Sequence, residues 1–233
     1  MSKTIDYGEK EYWDNRYVTE TRDHFDWYYG YNNLKRFLNK FYKRSDKVLM
    51  VGCGNSKLGE DMNTDGYGDI VNIDFSEPLI EDMKLRTKDR QGLEYLTMDG
   101  RQMDFLDETF ESIFDKGTVD AVMCSDDDNS NALKIVEEVY RVLKPGGVFI
   151  IMSYGSPEAR LPLVNRKDKF NWSYEMRMGG KTSNVNANEC HYIYIMRKVD
   201  PNQPTLTKPE NAEVFLNYLN SSIGKVPLEV LSE

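Results

Sequence analysis

The apolar run Val48-Leu49-Met50-Val51 leads straight into Gly52-Cys53-Gly54-Asn55-Ser56, the pattern of a buried strand entering a tight glycine turn. Glycines at 52 and 54 let a ligand approach the backbone, because no Cβ stands in the way. A dinucleotide loop would carry its third glycine at position 57, where this chain has Lys57, so the pattern argues against a pyrophosphate. Asp74 lies 20 residues beyond Gly54, at the end of a second strand-like run, where a carboxylate accepts both hydroxyls of a ribose. A third run ends in Met98-Asp99-Gly100. Asp99 can accept there from the exocyclic amine of an adenine sandwiched by Phe75 and Met98, or it can cap a helix. Glycine, Asp74 and Asp99 at three consecutive strand ends form one crevice for an adenosine-bearing ligand.

Such a crevice needs a parallel sheet to bring the three ends together. Between residues 47 and 154 short β-rich runs alternate with helical stretches, the pattern of right-handed βαβ units. The runs predict strands over 47–51, 70–73, 94–98, 110–114 and 148–153. Helices are predicted over 77–90 and 131–143, the second with Leu133, Val136, Val139, Tyr140 and Leu143 on one face. Lys144-Pro145-Gly146-Gly147 stops that helix and turns into the next strand. Aromatic-rich runs over 170–178 and 190–198, separated by Gly179-Gly180 and the polar stretch 183–188, predict an antiparallel pair at the sheet edge. The Pro-rich stretch 201–209 reads as a linker to a short helix over 210–221, which sets 201–233 apart from a single domain over 1–200.

Composition narrows the classes further. The 233 residues suit one α/β domain, and 30 Lys+Arg against 39 Asp+Glu, a net charge of −9, exclude a cationic nucleic-acid footprint. The longest clean apolar run, 148–152, is far short of the ~20 residues of a membrane span. Residues 1–10 lack the apolar stretch of a signal peptide, so a cytoplasmic protein is expected. Cys53, Cys124 and Cys190 are too scattered for a zinc site and odd in number, which suggests reduced thiols and no metal. Histidine chemistry has only His24 and His191 to draw on. Residues 7–31 hold 9 aromatics in 25 positions against 12% for the whole chain. They make either a helix packed on the core or a lid over a flat or cationic ligand.

Several blocks carry a more specific signal. Glu11-Tyr12-Trp13-Asp14-Asn15-Arg16-Tyr17, Phe25-Asp26-Trp27-Tyr28, the glycine loop, Asp115-Lys116-Gly117-Thr118-Val119-Asp120-Ala121 and Leu143-Lys144-Pro145-Gly146-Gly147 together resemble class I S-adenosylmethionine-dependent methyltransferases. Within that class the chain resembles the lysine methyltransferases that act on translation elongation factor 1 alpha, over about residues 9–198. The resemblance implies a seven-stranded sheet in the order 3-2-1-4-5-7-6, with strand 7 antiparallel and helices on both faces. It implies S-adenosylmethionine as cofactor, with S-adenosylhomocysteine as product. The implied cofactor contacts are Trp13, Tyr17 and Trp27 in the N-terminal segment and Gly52 beside Gly54 in the loop. Asp74 and Phe75 would serve the ribose, Asp99 and Gly100 the adenine, and Lys116 follows the fourth strand. Where many methyltransferases place an acid two residues before the first glycine, this chain has Met50.

Methyl transfer to lysine needs a held, neutral amine. Exposing that amine near pH 7.4 costs about 4 kcal/mol from a pKa of ~10.4. Good orientation contributes ~7–11 kcal/mol, so no strong general base is required. Asp115, at the fourth strand end, is expected either to attract and orient a cationic side chain or to cap the following turn. Tyr28 and Tyr154 are candidate aromatic walls for that cation. Residues 99–128 hold ten acids against two bases, either a solvated stretch or an acidic mouth for a basic protein surface. The partner expected is therefore a basic protein such as elongation factor 1 alpha, with neither nucleic acid nor membrane. A small-molecule methyltransferase and a non-catalytic S-adenosylmethionine-binding subunit share every cofactor residue and remain the alternatives.

Overall fold

Val48–Val51 and Ile70–Asp74 are buried along their whole length, so each strand must lie within a sheet covered on both faces. The computed structural model describes residues 6–19, 24–125, 128–180, 191–202 and 228–230. In chain order the elements begin with α1 (Lys10–Thr19), α2 (Tyr31–Leu38), β1 (Val48–Val51), α3 (Leu58–Thr64), β2 (Ile70–Asp74), α4 (Glu77–Arg86) and β3 (Leu93–Thr97). There follow β4 (Phe110–Lys116), α5 (Thr118–Met123), α6 (Ser130–Val142), β5 (Leu143–Ser153), α7 (Pro157–Val164), β6 (Trp172–Gly180), β7 (His191–Lys198) and β8 (Leu228–Val230).

The sheet order is β3-β2-β1-β4-β5-β7-β6-β8. β1 to β5 pair in parallel, and β7 runs antiparallel to both β5 and β6, which is the expected seven-strand arrangement. β8 adds an eighth strand, parallel to β6 through Met178↔Leu228, that the sequence patterning did not reveal. The helix expected over 210–221 and the loop over 183–188 lie outside the described residues. Gly179 and Gly180, expected in that loop, belong to β6, because Gly179 pairs with His191.

Side-chain alternation along the strands separates two apolar layers. Leu49, Val51, Ile73, Ile113 and Phe149 face α6 and α7, whereas Val48, Met50, Ile70, Phe114 and Ile150 face α2 and α3. The α6 face is rotated from the expected one. Ala132, Ile135, Val136, Val139 and Val142 are buried, and Leu133 and Tyr140 pack at its margin. The helix also ends one residue early, since Leu143 already pairs with Phe110 and Lys144–Gly147 bulges before Val148 meets Ser112. Helix α4 stops at Arg86 rather than near residue 90, where the Thr87 hydroxyl turns back to donate to Met83 O at 2.7 Å.

Register sets the carboxyl ends level. Val51 stands opposite both Ile73 and Asp115, and Asp74 opposite Thr97. The connection after β3, which carries Asp99 and Gly100, is fixed from below by Arg141 of α6. That guanidinium donates to Met103 O (2.8 Å), Phe105 O (2.6 Å), Asp107 (2.8 Å) and both oxygens of Glu138 (2.8 Å each). Arg141→Ala should lower stability by about 1–2 kcal/mol, measured as a shift in the urea unfolding midpoint at unchanged slope. A variant as stable as wild type would show that the connection holds itself.

Candidate functional site

Gly52 and Gly54 both adopt left-handed φ values, +57° and +54°. A Cβ on Gly52 would lie 2.0 Å from Thr118 Oγ1, the hydroxyl that donates to Val51 O at 2.9 Å, so only glycine lets α5 close on the end of β1. A Cβ on Gly54 would come within 3.0 Å of Tyr17 Oη. Around this loop opens a cavity that, with its mouth, encloses about 1070 Å³ of empty space. Trp13, Tyr17, Trp27, Gly52, Gly54, Asp74, Phe75, Asp99, Gly100 and Lys116, the ten residues singled out for ligand contact, all line it.

Asp74 is the buried acid of the group. Its Oδ2 accepts from Gly54 N at 3.0 Å and its Oδ1 from Ser76 N at 3.1 Å. Burial pushes its carboxyl up to about 6 against the pull of those two amides. Asp99 is half-exposed and chelated by Arg101, whose Nε and Nη2 donate at 2.9 and 2.7 Å. Burial raises its pKa, but the Arg101 bonds outweigh that and hold the carboxyl below its ordinary value. Cys53 lines the same cavity, and burial together with the negative charge of Asp74 pushes its thiol well up.

The aromatic segment closes over this floor. Trp13 and Tyr17 stack at 5.6 Å between centroids, and the Arg16 guanidinium lies 5.3–5.7 Å from the Trp13, Phe25 and Trp27 rings. Ser76 Oγ donates to Asp14 at 2.6 Å and ties α1 to the start of α4. Lys116 reaches across from β4, donating to Asp26 at 3.1 Å and to Trp27 O at 3.0 Å. Burial lowers its pKa and Asp26 opposes that, so the ammonium is committed to the N-terminal aromatic segment at the cavity wall.

Of the two roles expected of Asp115, orienting a cation or capping the following turn, the structure shows the cap. Asp115 is fully buried, does not line the cavity, and accepts from Val119 N at 3.3 Å at the start of α5. Burial, reinforced by nearby Asp120, pushes its carboxyl up to about 8, so it is protonated at neutral pH and has no charge to offer a cation. The alternation of β4 explains this, since neighbouring side chains of a strand point to opposite faces and Lys116 takes the one toward the lid. Asp120, which sequence patterning did not single out, is the acid that gathers partners. It accepts from Tyr28 Oη, Ser153 Oγ, Tyr154 N (3.0 Å) and Arg160 (2.6 Å). The acidic stretch is also less free than its composition suggests, since Asp107 pairs with Arg141 and Glu111 with Lys144. Asp126 and Asp127 lie outside the described residues.

Among the described residues no group of His, Cys, Asp and Glu could hold a metal ion, and no helix is long and apolar enough to cross a membrane. The profile of a methyltransferase domain family matches residues 49–151. A Bos taurus protein named eEF1A lysine and N-terminal methyltransferase is 36% identical over 170 residues, 72% of this chain and 24% of that one. A Mus musculus EEF1A lysine methyltransferase 4 is 28% identical over 205 residues, 84% of this chain and 78% of that one. Among solved structures, a SAM-dependent methyltransferase of Methanosarcina mazei superimposes with a TM-score of 0.56 at 17% identity, covering 75% of this chain and 99% of that one. The chain spans about a quarter of the length of relatives such as the bovine one.

Because the folded Asp115 has a raised pKa, it favours the native state at low pH, and that contribution is lost as pH rises from about 4 to about 8. Asp115→Asn removes this loss. The stability of the variant relative to wild type should therefore rise by up to about 1.4 kcal/mol per pH unit within that window, read from urea midpoints at pH 5 to 8.5. A constant difference across the range would show Asp115 to be ionised in the fold.

Proposed function

Given that this chain belongs to the class I S-adenosylmethionine-dependent methyltransferases, we propose that it transfers a methyl group from S-adenosylmethionine to a lysine amine of a protein, with a translation elongation factor as substrate. The observation that carries this reading is the cavity itself, in which Gly52, Gly54, Asp74 and Asp99 meet at adjoining strand ends beneath Trp13, Tyr17 and Trp27. Support for a protein acceptor comes from the names of the relatives.

The residues present suit that cofactor. Asp74 is buried with two amides and, among the described residues, no ion pair on its oxygens, which leaves lone pairs for the two ribose hydroxyls. The positive-φ glycines supply open backbone where a Cβ would intrude. Phe75 and Met98 would flank the adenine. Asp99, already chelated by Arg101, would offer its remaining lone pairs to the exocyclic amine. Trp13, Tyr17 and Trp27 would cover the ligand, and Lys116 would hold that cover in place through Asp26.

When bound, the cofactor supplies an activated methyl group on sulfur. The chain's part is to position the amine, exclude water and provide no competing anion. With Asp115 protonated and Asp120 matched by Arg160, neither of these two carboxylates adds a free negative charge that would bias the amine toward its ammonium form. The proposed partner presents a basic surface, favoured by a net charge of −9, and meets this chain in the cytoplasm.

Incubation of the purified protein with elongation factor 1 alpha and methyl-labelled S-adenosylmethionine should give a labelled protein band that is lost in Asp74→Ala. Label confined to small molecules, or no label, would overturn the reading. The ionised Asp74 is the form that accepts two hydroxyls, so calorimetric affinity for S-adenosylmethionine should fall about tenfold per unit as pH drops below about 6. Affinity constant from pH 7 to 5 would remove Asp74 from the ribose.

A further inference from the structure

Beside the cavity stands a cluster of rings that the cofactor residues do not use. Gly117 lines the cavity, and a Cβ built on it would lie 3.4 Å from Tyr28 Cε2, so the Tyr28 ring packs against that wall. Tyr28 lies 4.8 Å from Tyr154 and 4.5 Å from His191 between ring centroids, and Tyr154 lies 4.6 Å from His191. Tyr154 is 63% exposed and His191 only 9%, so the cluster runs from solvent to the cavity wall.

Its geometry is held under constraint. Tyr28 has φ +67°, a left-handed conformation that bulky residues avoid and that persists only where the surroundings enforce it. Asp120 does the enforcing, since it takes the Tyr28 hydroxyl and the Tyr154 backbone amide together. Arg160 balances the charge of Asp120, so the two rings are oriented without a free anion beside them. His191 Nδ1 lies 3.1 Å from Tyr29 Oη, while its buried Nε2 has no hydrogen-bond partner among the described residues. Burial lowers the imidazole pKa, against the pull of Asp120, and keeps the ring neutral. In the tautomer whose Nδ1 proton goes to Tyr29, the one this subsite requires, Nε2 presents its lone pair inside an aromatic enclosure. Buried polar atoms are rarely left so in native structures, and a ligand donor is one way to satisfy them.

We propose that Tyr28, Tyr154 and His191 form the subsite that captures the acceptor amine. An alkylammonium chain enters against the faces of the two tyrosine rings and donates an N–H to His191 Nε2 on its way to the cavity side of Gly117. Asp120 and Arg160 are positioning residues that hold the rings and touch no substrate. This assignment rests on the proposed function in taking the acceptor to be an amine of a protein side chain.

Two measurements test it. First, n-butylamine hydrochloride is titrated into the protein in the presence of S-adenosylhomocysteine, with His191 Nε2 followed by ¹⁵N NMR. A saturable shift at Nε2 is expected, and an unmoved resonance overturns the subsite whatever the protein substrate proves to be. Second, acceptor kinetics are measured on elongation factor 1 alpha. His191→Phe and Tyr154→Ala should each raise KM about tenfold with kcat within about threefold, while His191→Gln, which keeps an acceptor atom, should stay near wild type. Tyr154 is exposed, so its removal leaves folding intact even if His191→Phe melts early. Unchanged KM in both variants overturns the proposal. Absence of any labelled factor with wild type defeats the proposed function instead, and the NMR titration still decides the subsite.

Discussion

One buried ammonium holds the site closed. Lys116 sits at the end of β4, yet its hydrogen bonds go to Asp26 and to the carbonyl of Trp27, ninety residues earlier in the chain. Asp26 in turn accepts from Ser56 in the glycine loop. Sheet, loop and aromatic cover are thus joined through a single carboxylate. Lys116 is largely buried and Asp26 partly so, and removing Asp26 would leave the ammonium with only the Trp27 carbonyl, a larger loss than the ~0–1 kcal/mol of an exposed pair. The Arg16 guanidinium beside the Trp27 ring links the segment of Asp26 and Trp27 to α1, which the Asp14–Ser76 bond anchors separately to the start of α4.

Beneath the cover, the site follows from two kinds of close approach. Val51, opposite both Ile73 and Asp115, brings the ends of β1, β2 and β4 level, and Thr118 can seal the β1 end only because Gly52 has no side chain. The two carboxylates at neighbouring ends are then treated differently by their surroundings. Asp74 is desolvated and held by amides alone, whereas Asp99 stays near solvent under a guanidinium. One is suited to neutral hydroxyl donors at fixed geometry, and the other remains charged across the physiological range.

What was legible in the sequence was what local pattern and strand spacing determine. The alternation of strands and helices predicted the parallel sheet, and the aromatic-rich runs its antiparallel edge, whereas the strand order was what the family resemblance implied. The 20-residue step from Gly54 to Asp74 appears in the fold as a direct hydrogen bond. The open or misread positions are those where tertiary partners decide. Asp115 stood open between a cation site and a turn cap, and the pleat, by turning it into the core under Val119 N, decides for the cap. Asp120 stands in the 115–121 block that carries the resemblance, but its role is not legible there because its partners Tyr28, Ser153 and Arg160 lie 92, 33 and 40 residues away. Gly179 and Gly180 carry turn chemistry yet are recruited into β6 by pairing with β7 and β8, a contact no local window contains.

Cys53 stands between the two glycines of the loop, against the cavity and close to the Asp74 charge. A thiolate there would be the strongest nucleophile within reach of any electrophile the cavity holds. The same burial and negative charge that suit Asp74 to hydroxyl groups keep the sulfur protonated, and a protonated thiol reacts poorly with alkylating groups. The crevice is thereby protected from modifying itself.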